Sequence, residues 1–266
     1  MEDMLYSGYM GIISEVLAHG VEEVEQLAPA IDQTVRSNSI QFTVLAMAIF
    51  LIMTILSLFF RNKAEWVKYA LYITFVVVAL FNTIYLAGST IYLNQISTTG
   101  GPVHYHADFE VWNCGTKVEI ADPEGLSNKV GTEVIHEHND DRIHIEGVLL
   151  RAHDAALSHF FELIGGELHN DHVSVPTDSG VVSLQTGQTC PGKTTAILQV
   201  FVYQTQGKTF SQTKLLDPES YIISPHSQVP PGDCIIIEFG PVREKTDKLC
   251  NFYEVAVQKG EIKENF

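Results

Sequence analysis

The sequence has few basic residues and lacks the glycine motif that binds dinucleotides. Of its 266 residues, 16 are Lys or Arg and 32 are Asp or Glu, which gives a formal net charge of −16 at pH 7. Binding to a nucleic-acid backbone relies on Lys and Arg, so this charge argues against a nucleic-acid partner. GxGxxG and GxSxG are absent, which removes the common signatures of dinucleotide binding and of serine hydrolysis.

Charge is missing altogether from two long stretches, residues 40–60 and 69–93. Each reaches the roughly 20 residues that an α-helix needs to cross a hydrocarbon core. A buried helix of a soluble domain would keep a polar face, whereas these stretches are apolar all round. We therefore predict a transmembrane hairpin over residues 40–94.

The connector between the two stretches carries Arg61, Lys63 and Lys68. Positive residues stay on the cytoplasmic side, so the connector is predicted to face the cytoplasm. This orientation places both termini outside the cell membrane.

Cysteine is also scarce, and Cys114, Cys190, Cys234 and Cys250 all follow the second apolar stretch. In an extracytoplasmic domain an even number of cysteines indicates disulfides, with three pairings open. A zinc cluster is the competing interpretation, and the absence of CxxC spacing argues against it.

The chain divides into four predicted parts. Residues 1–39 hold seven acidic groups and one Arg, with apolar residues at helical spacing, which predicts an external amphipathic segment. The hairpin at 40–94 follows, then a Gly-containing linker at 95–103 and a His-rich extracytoplasmic β domain at 104–266.

Short β-rich runs dominate the last part. We predict a hairpin turning at residues 113–115, extended pieces on either side of 139–141, and one main helix over 152–166. Further strands are predicted at 197–204, 221–227, 234–240 and 251–258. The expected fold is α+β with a mostly antiparallel sheet, an order of elements similar to a β-grasp arrangement.

The candidate metal ligands of this domain are histidines. Two HxH pairs, His104 with His106 and His136 with His138, precede His144. Residues i and i+2 of a strand point to the same face, so each pair can direct two imidazoles at one ion. The five residues predict a transition-metal site for Cu or Zn, and the alternative is a set of solvated surface histidines.

Carboxylates lie close in sequence to the five histidines. Nearby carboxylates are expected to serve as ligands or to hold the second ring nitrogen of a ligand, namely Asp108, Glu110, Glu137, Asp140 and Glu146. Methionine is absent after residue 53, which argues against a blue-copper centre.

The remaining histidines of the domain are weaker candidates. We interpret residues 169–172 as a polar loop in preference to a second ligand pair. His153 and His159 lie six residues apart, a spacing that does not align them on one helix face, and His226 follows a proline in a loop.

Residues 104–240 resemble a largely uncharacterised domain family of secreted and membrane-anchored proteins of bacteria and archaea. The resemblance lies in HYHADFEVWNCG, IHEHNDDRIHIEG, SHFFELIGG and the closing CIIIEFG. It implies that the five histidines belong to one domain, and it implies no activity. HYHADFE also resembles the first cupin motif, without a suitably spaced third histidine.

The plan of a two-span hairpin before an external β domain is similar to cytochrome oxidase subunit II. The copper motif of that subunit, with its two Cys, two His and Met, is absent here.

Three functions follow from these patterns. The first is a membrane-anchored extracytoplasmic module that binds Cu or Zn and works with a membrane partner. The second is a structural or accessory subunit of a membrane protein complex. The third, a metal-dependent hydrolase or oxygenase, needs a base such as Glu110, Glu137 or Glu146 beside an open metal position, and we favour it least.

Overall fold

The computed structural model describes residues 31–32, 34–60, 65–123, 128–192, 194–225 and 229–265. Most of the predicted amphipathic segment at 1–39 lies outside these ranges, and so does His226. The chain forms two compact units, Met1–Gly100 and Gly101–Phe266.

The first unit contains two long apolar helices, α1 (Thr34–Phe59) and α2 (Glu65–Ile96), and both are long and apolar enough to cross a membrane. They include nearly all of the predicted stretches and extend beyond them. Phe42 contacts Tyr85 at 4.7 Å between ring centroids, and Phe50 contacts Phe75 at 4.5 Å. These two contacts show that the helices pack antiparallel, as expected for a hairpin.

The second unit is mostly β. Its strands are β1 (Pro102–Asn113), β2 (Thr116–Val118), β3 (Val130–Gly131), β4 (Ile135–Glu137), β5 (Arg142–Val148), β6 (Glu167–Leu168), β7 (His172–Thr177), β8 (Gly180–Gln185), β9 (Ile197–Gln206), β10 (Thr209–Lys214), β11 (Cys234–Gly240) and β12 (Lys263–Glu264). Its helices are α3 (Leu157–Leu163), preceded by a 3-10 turn at Ala152–Ala155, and α4 (Asn251–Gln258).

The main sheet has the strand order β12-β10-β9-β11-β1-β5-β4-β3, with β2 also paired to β1. Two of its pairs, β1 with β11 and β10 with β12, are parallel, and its other pairs are antiparallel. Strands β6, β7 and β8 form a smaller antiparallel sheet. The expected plan of two apolar helices followed by a mostly β domain is therefore present, with a mixed main sheet. The β-grasp likeness stays a prediction.

Several local predictions can be compared with the structure. The hairpin turn is confirmed, since Cys114 and Gly115 connect β1 to β2 with φ values of 52° and 87°. The helix predicted over residues 152–166 is shorter, because α3 begins only at Leu157. The strand predicted at 221–227 reduces to a single bridge between Ile222 and Ala156 within the residues described there.

The strand predicted at residues 251–258 is wrong, because this segment is helix α4. Tyr253 and Ala256, three residues apart, are buried, whereas Glu254 between them is exposed. A spacing of three places both buried side chains on one side of a helix. The β-branched residues Val255 and Val257 favour a strand, but the burial of Tyr253 and Ala256 fits a helix.

The main sheet is covered on both faces. On one face the apolar side chains of β1, β5 and β11 pack against α3, whose Phe160 stacks edge-on against Phe109 at 5.2 Å. On the other face, Tyr253 of α4 lies with Phe201 and Ile236 in a second, smaller core. This second face also carries the histidines of β1, β4 and β5.

All four cysteines are paired in disulfides, Cys114 with Cys190 and Cys234 with Cys250. This pairing leaves no thiolate for zinc, so the alternative of a cysteine cluster is wrong. Cys114–Cys190 ties the turn after β1 to the segment before β9, and Cys234–Cys250 ties β11 to the start of α4. Disulfides of this kind are typical of an oxidising compartment outside the cytoplasm.

We expect the two disulfides to stabilise the second unit unequally. They span 76 and 16 residues of sequence, and the chain-entropy model assigns about 3 kcal/mol to the shorter loop and about 1 kcal/mol more to the longer one. Urea unfolding of the full chain in detergent, followed by tryptophan fluorescence, measures both losses. Cys114→Ser/Cys190→Ser is expected to lower the free energy of unfolding more than Cys234→Ser/Cys250→Ser does, and the reverse order would contradict the loop-entropy argument.

Candidate metal centre

The register of three neighbouring strands places three imidazoles side by side. In the antiparallel pair β1–β5, His106 lies opposite His144, and in the pair β5–β4, His144 lies opposite His136. Directly opposed residues of an antiparallel pair point to the same face of a sheet. The three rings therefore form a row across the sheet, on the face opposite α3.

The outer member of each HxH pair completes the group. His104 lies two residues before His106 on β1, and the Nε2 atoms of the two rings are 3.1 Å apart. His138 follows β4, and its ring centroid lies 4.7 Å from that of His136 and 4.8 Å from that of His144. The ring centroids of His106 and His144 are 4.7 Å apart. The imidazole cluster, defined as these five histidines, is thus continuous.

Within the imidazole cluster, two sets of three ligand atoms lie close enough to hold an ion. His104, His106 and His144 form one set, and His136, His138 and His144 form the other. In each set, one ligand atom from every residue lies within 4.8 Å of the other two. The sequence predicted two HxH pairs aimed at one ion, and the structure adds that His144 belongs to both sets.

Oxygen atoms at the edge of the cluster fix several rings. Glu146 Oε1 lies 3.1 Å from His104 Nε2, and Asp140 Oδ2 lies 3.3 Å from His144 Nε2. His138 Nδ1 contacts the carbonyl oxygen of Asn128 at 2.5 Å. Such outer contacts select the tautomer of each ring and leave its other nitrogen available to a ligand.

His136 differs from the other rings because it is only 3% exposed and its Nδ1 atom has no hydrogen-bond partner among the described residues. A buried polar atom without a partner costs roughly 1–3 kcal/mol. A metal ion is one partner that satisfies a ring nitrogen in such a position.

Burial keeps the inner rings neutral. It lowers the pKa of His106 from 6.5 to about 4, with a further contribution from repulsion by His144. Burial also lowers the pKa of His136 and of His144. Since only the neutral imidazole offers a lone pair to a metal, these rings can act as ligands at neutral pH.

Two glycines let other backbone segments approach this part of the sheet. Gly232, with φ of 76°, lies so close to the His106 carbonyl that a Cβ atom would overlap it. Gly131, with φ of 112°, packs in the same way against the backbone of Ile135 and His136. Both positions require glycine, and both support strands that carry the cluster.

Of the five carboxylates expected around the site, Asp140 and Glu146 contact the imidazole cluster. The other three have different partners. Asp108 accepts a hydrogen bond from Arg142 Nε at 2.7 Å, and Glu110 accepts one from Trp112 Nε1 at 2.8 Å. Buried Glu137 accepts the backbone N–H of Asp140 and thereby supports the turn before β5.

Another group of potential ligands, Glu167, His169 and His172, lies where β6 turns into β7. We interpreted residues 169–172 as a polar loop, and the structure brings two of their rings to within 4.5 Å of each other, next to Glu167. The sequence signal for this group is the spacing Glu167-x-His169, which places both side chains on one side of an extended strand.

The spacing of His153 and His159 predicted that they do not lie on one helix face. Their ring centroids are nevertheless 5.7 Å apart, because the chain bends between the 3-10 turn and α3.

In comparisons with protein-family models, curated proteins and solved structures, nothing matches this chain. The resemblance to an uncharacterised domain family therefore stays a prediction. The chemistry must be argued from the residues themselves.

The lowered pKa of His106 predicts an acid-sensitive fold for the metal-free protein. At pH values above 6.5 the ring is neutral in both folded and unfolded chains. As the pH falls towards about 4, the unfolded chain takes up the proton first, so the free energy of unfolding decreases. Urea midpoints of the full chain in detergent with chelator, measured across this range, are expected to fall.

His106→Gln is expected to make that decrease shallower. His159→Gln, on α3 and outside the imidazole cluster, is the matched control. If both variants show the same pH slope as the unsubstituted protein, burial of His106 has no influence on stability.

Proposed function

We propose that this protein is a membrane-anchored extracytoplasmic module that binds one Cu or Zn ion through the imidazole cluster. The observation that carries the proposal is the convergence of five imidazoles from three adjacent strands, three of them with lowered pKa values. Imidazole nitrogen is the donor that Zn²⁺ and Cu²⁺ share, and the second unit contains no free cysteine and no methionine.

The membrane location rests on two features. Helices α1 and α2 are long and apolar enough to span a bilayer, and the two disulfides fit an oxidising compartment for the second unit. The basic residues of the connector support an orientation in which the helical loop faces the cytoplasm and both termini lie outside.

His144 links the two ligand sets. A neutral imidazole has one lone pair on its ring nitrogens, so His144 can serve one ion at a time. We therefore expect one ion per imidazole cluster. An ion held by His104, His106 and His144 can exchange two of its ligands for His136 and His138 without losing the third. This property suits a module that receives an ion at an exposed set and holds it at a more buried one.

Removal of His144 should weaken binding more than removal of an outer histidine. A structural zinc site gains about 10–16 kcal/mol from four ligands, so one ligand is worth about 3 kcal/mol, or roughly 100-fold in affinity. His144→Ala takes a ligand from both sets, whereas His104→Ala leaves the other set complete. We expect a loss of about 100-fold for His144→Ala and a loss below about tenfold for His104→Ala.

Isothermal titration of Zn²⁺ or Cu²⁺ into the full chain in detergent checks this order. His172→Ala is present throughout to remove the group between β6 and β7, and His159→Ala serves as the control. Equal losses for His144→Ala and His104→Ala would contradict the shared ligand. Metal content below about 0.2 equivalents after purification without chelator would contradict metal binding as the function, since the site holds one ion.

A separate observation supports the second candidate function, which is an accessory subunit of a membrane complex. Asn82 of α2 lines an apolar groove of about 210 Å³ between the two helices, and its side-chain oxygen has no hydrogen-bond partner among the described residues. In hydrocarbon, an amide side chain of this kind pairs with a neighbouring helix. This favours a partner helix, and the two functions are compatible.

Asn82→Leu is expected to weaken the association with that partner by about 0.6–2 kcal/mol, or roughly 3- to 30-fold. Quantitative co-purification from native membranes in mild detergent measures the change. Thr74→Val is the control, because the Thr74 hydroxyl already donates to the Ala70 carbonyl of its own helix. Equal recovery of partners for both variants would argue against a role of Asn82 in assembly.

A further inference from the structure

We propose that Glu167, His169 and His172 form a second site for a divalent transition metal, separate from the imidazole cluster. This set is called the β6–β7 site. The two histidines and one carboxylate are the donor set of many zinc and non-haem iron centres, which keep one or more coordination positions open.

The turn between β6 and β7 brings the ligands together. The backbone N–H of His169 donates to the His172 carbonyl at 2.9 Å, which closes the turn. Their rings lie nearly parallel, 4.5 Å apart with 24° between the planes. Leu168 and Val173 of these strands are buried, so Glu167 and His169, which flank Leu168, lie together on the solvent side.

A carboxylate holds each ring in the tautomer that a metal needs. Asp171 Oδ1 lies 2.9 Å from His172 Nδ1, and Glu219 Oε1 lies 3.2 Å from His169 Nδ1. An ionised carboxylate only accepts hydrogen bonds, so both Nδ1 atoms carry the proton, and the Nε2 atom of each ring offers a lone pair when the ring is neutral. The hydrogen bond to Asp171 also raises the pKa of His172, so a metal competes with a proton for this ring. Asp171 is itself fixed by the Gln185 side-chain N–H at 2.9 Å. This is the carboxylate–histidine arrangement that orients metal ligands.

The spacing of the ligand atoms fits a small cation. Ligand atoms about 2.0–2.1 Å from a tetrahedral metal lie about 3.3 Å from one another. His172 Nε2 and Glu167 Oε2 are 3.6 Å apart, and one ligand atom of each of the three residues lies within 4.8 Å of the others. Small side-chain rotations are enough to close this distance around an ion.

Glu167 and His169 also line a cleft of about 410 Å³ beside α3. Polar side chains line it, including His153, Ser158, Glu162 and Asn170. Asp217 and Glu219 add negative charge to the walls, so water or another neutral polar molecule is a better further ligand than an anion.

The β6–β7 site and the imidazole cluster can be occupied independently. Leu168 and Val173 pack in the core on the α3 side of the main sheet, whereas the imidazole cluster lies on the opposite face. The two sites share no ligand. They differ also in donor set, since the imidazole cluster offers nitrogen alone and the β6–β7 site adds a carboxylate.

Cobalt(II) is a suitable probe because its visible absorption reports the ligands. The full chain is titrated in detergent in a background of His106→Ala/His138→Ala/His144→Ala, which removes both ligand sets of the imidazole cluster. We expect one equivalent of Co²⁺ to bind with a saturating visible band. His172→Gln should abolish that band, and His159→Gln on the neighbouring helix should leave it unchanged.

Asp171 is expected to act as a positioning residue. Asp171→Asn should weaken Co²⁺ binding by about 10- to 100-fold, as for other outer partners of metal-bound histidines, and Asp171→Glu should restore most of the affinity. Circular dichroism checks that each variant keeps its fold, which we expect because the Asp171 side chain is exposed and the His172 side chain is half-exposed. A band that survives His172→Gln in the folded variant, or no saturable Co²⁺ binding in the background protein, would overturn the proposal. Neither result bears on the imidazole cluster, which is absent from this background.

Discussion

The antiparallel register of β1, β5 and β4 is the constraint on which the rest of the second unit depends. It sets His106, His144 and His136 in one row, and the same alternation places Ala107, Ile143 and Ile145 on the opposite face. A slip by one residue would move every side chain of a strand to the other face. It would bury imidazoles among Phe160 and Phe161 and expose the isoleucines, so the apolar core against α3 fixes the geometry of the imidazole cluster.

The polar face of the sheet is stabilised by more than the histidines. Beyond His106 along β1, buried Asp108 pairs with Arg142 of β5, and the Arg142 guanidinium lies 3.5 Å above the centre of the Phe252 ring on α4. Burial raises the pKa of Asp108 to about 6 against the opposing effect of Arg142. The Cys234–Cys250 disulfide holds the first residue of β11 next to the start of α4. Helix α4 thus covers the part of this face that carries the ion pair, whereas His104, near the start of β1, is exposed.

How far the sequence predicts this protein depends on the range of each interaction. The apolar helices follow from composition, and the HxH pairs follow from the two-residue period of a strand, because both signals are local. The meeting of His144 with both pairs depends on the pairing of β5 with two different strands, which spacing along the chain does not encode. Helix α4 was missed because valines at 255 and 257 resemble a strand, while the burial of Tyr253 depends on its contacts with distant Phe210 and Tyr203. A ligand pair at residues 169–172 was placed second to a polar loop for a similar reason, since Glu219 reaches His169 across 50 residues of chain.

The composition of the imidazole cluster fits the proposed metal ion better than a proton-operated switch. Five rings linked by contacts from one to the next would repel one another strongly if they were protonated together, and Asp140 and Glu146, which contact them, lie at the edge of the cluster. Burial disfavours the charged form of the inner rings, which keeps their lone pairs free at neutral pH. His136 Nδ1, buried and without a hydrogen-bond partner among the described residues, adds a cost that a ligand at this nitrogen would remove. Neutral rings do not repel one another, and either set of three can offer its lone pairs to one ion. The neutral state that burial favours is therefore the state that suits a metal ligand and not a bound proton.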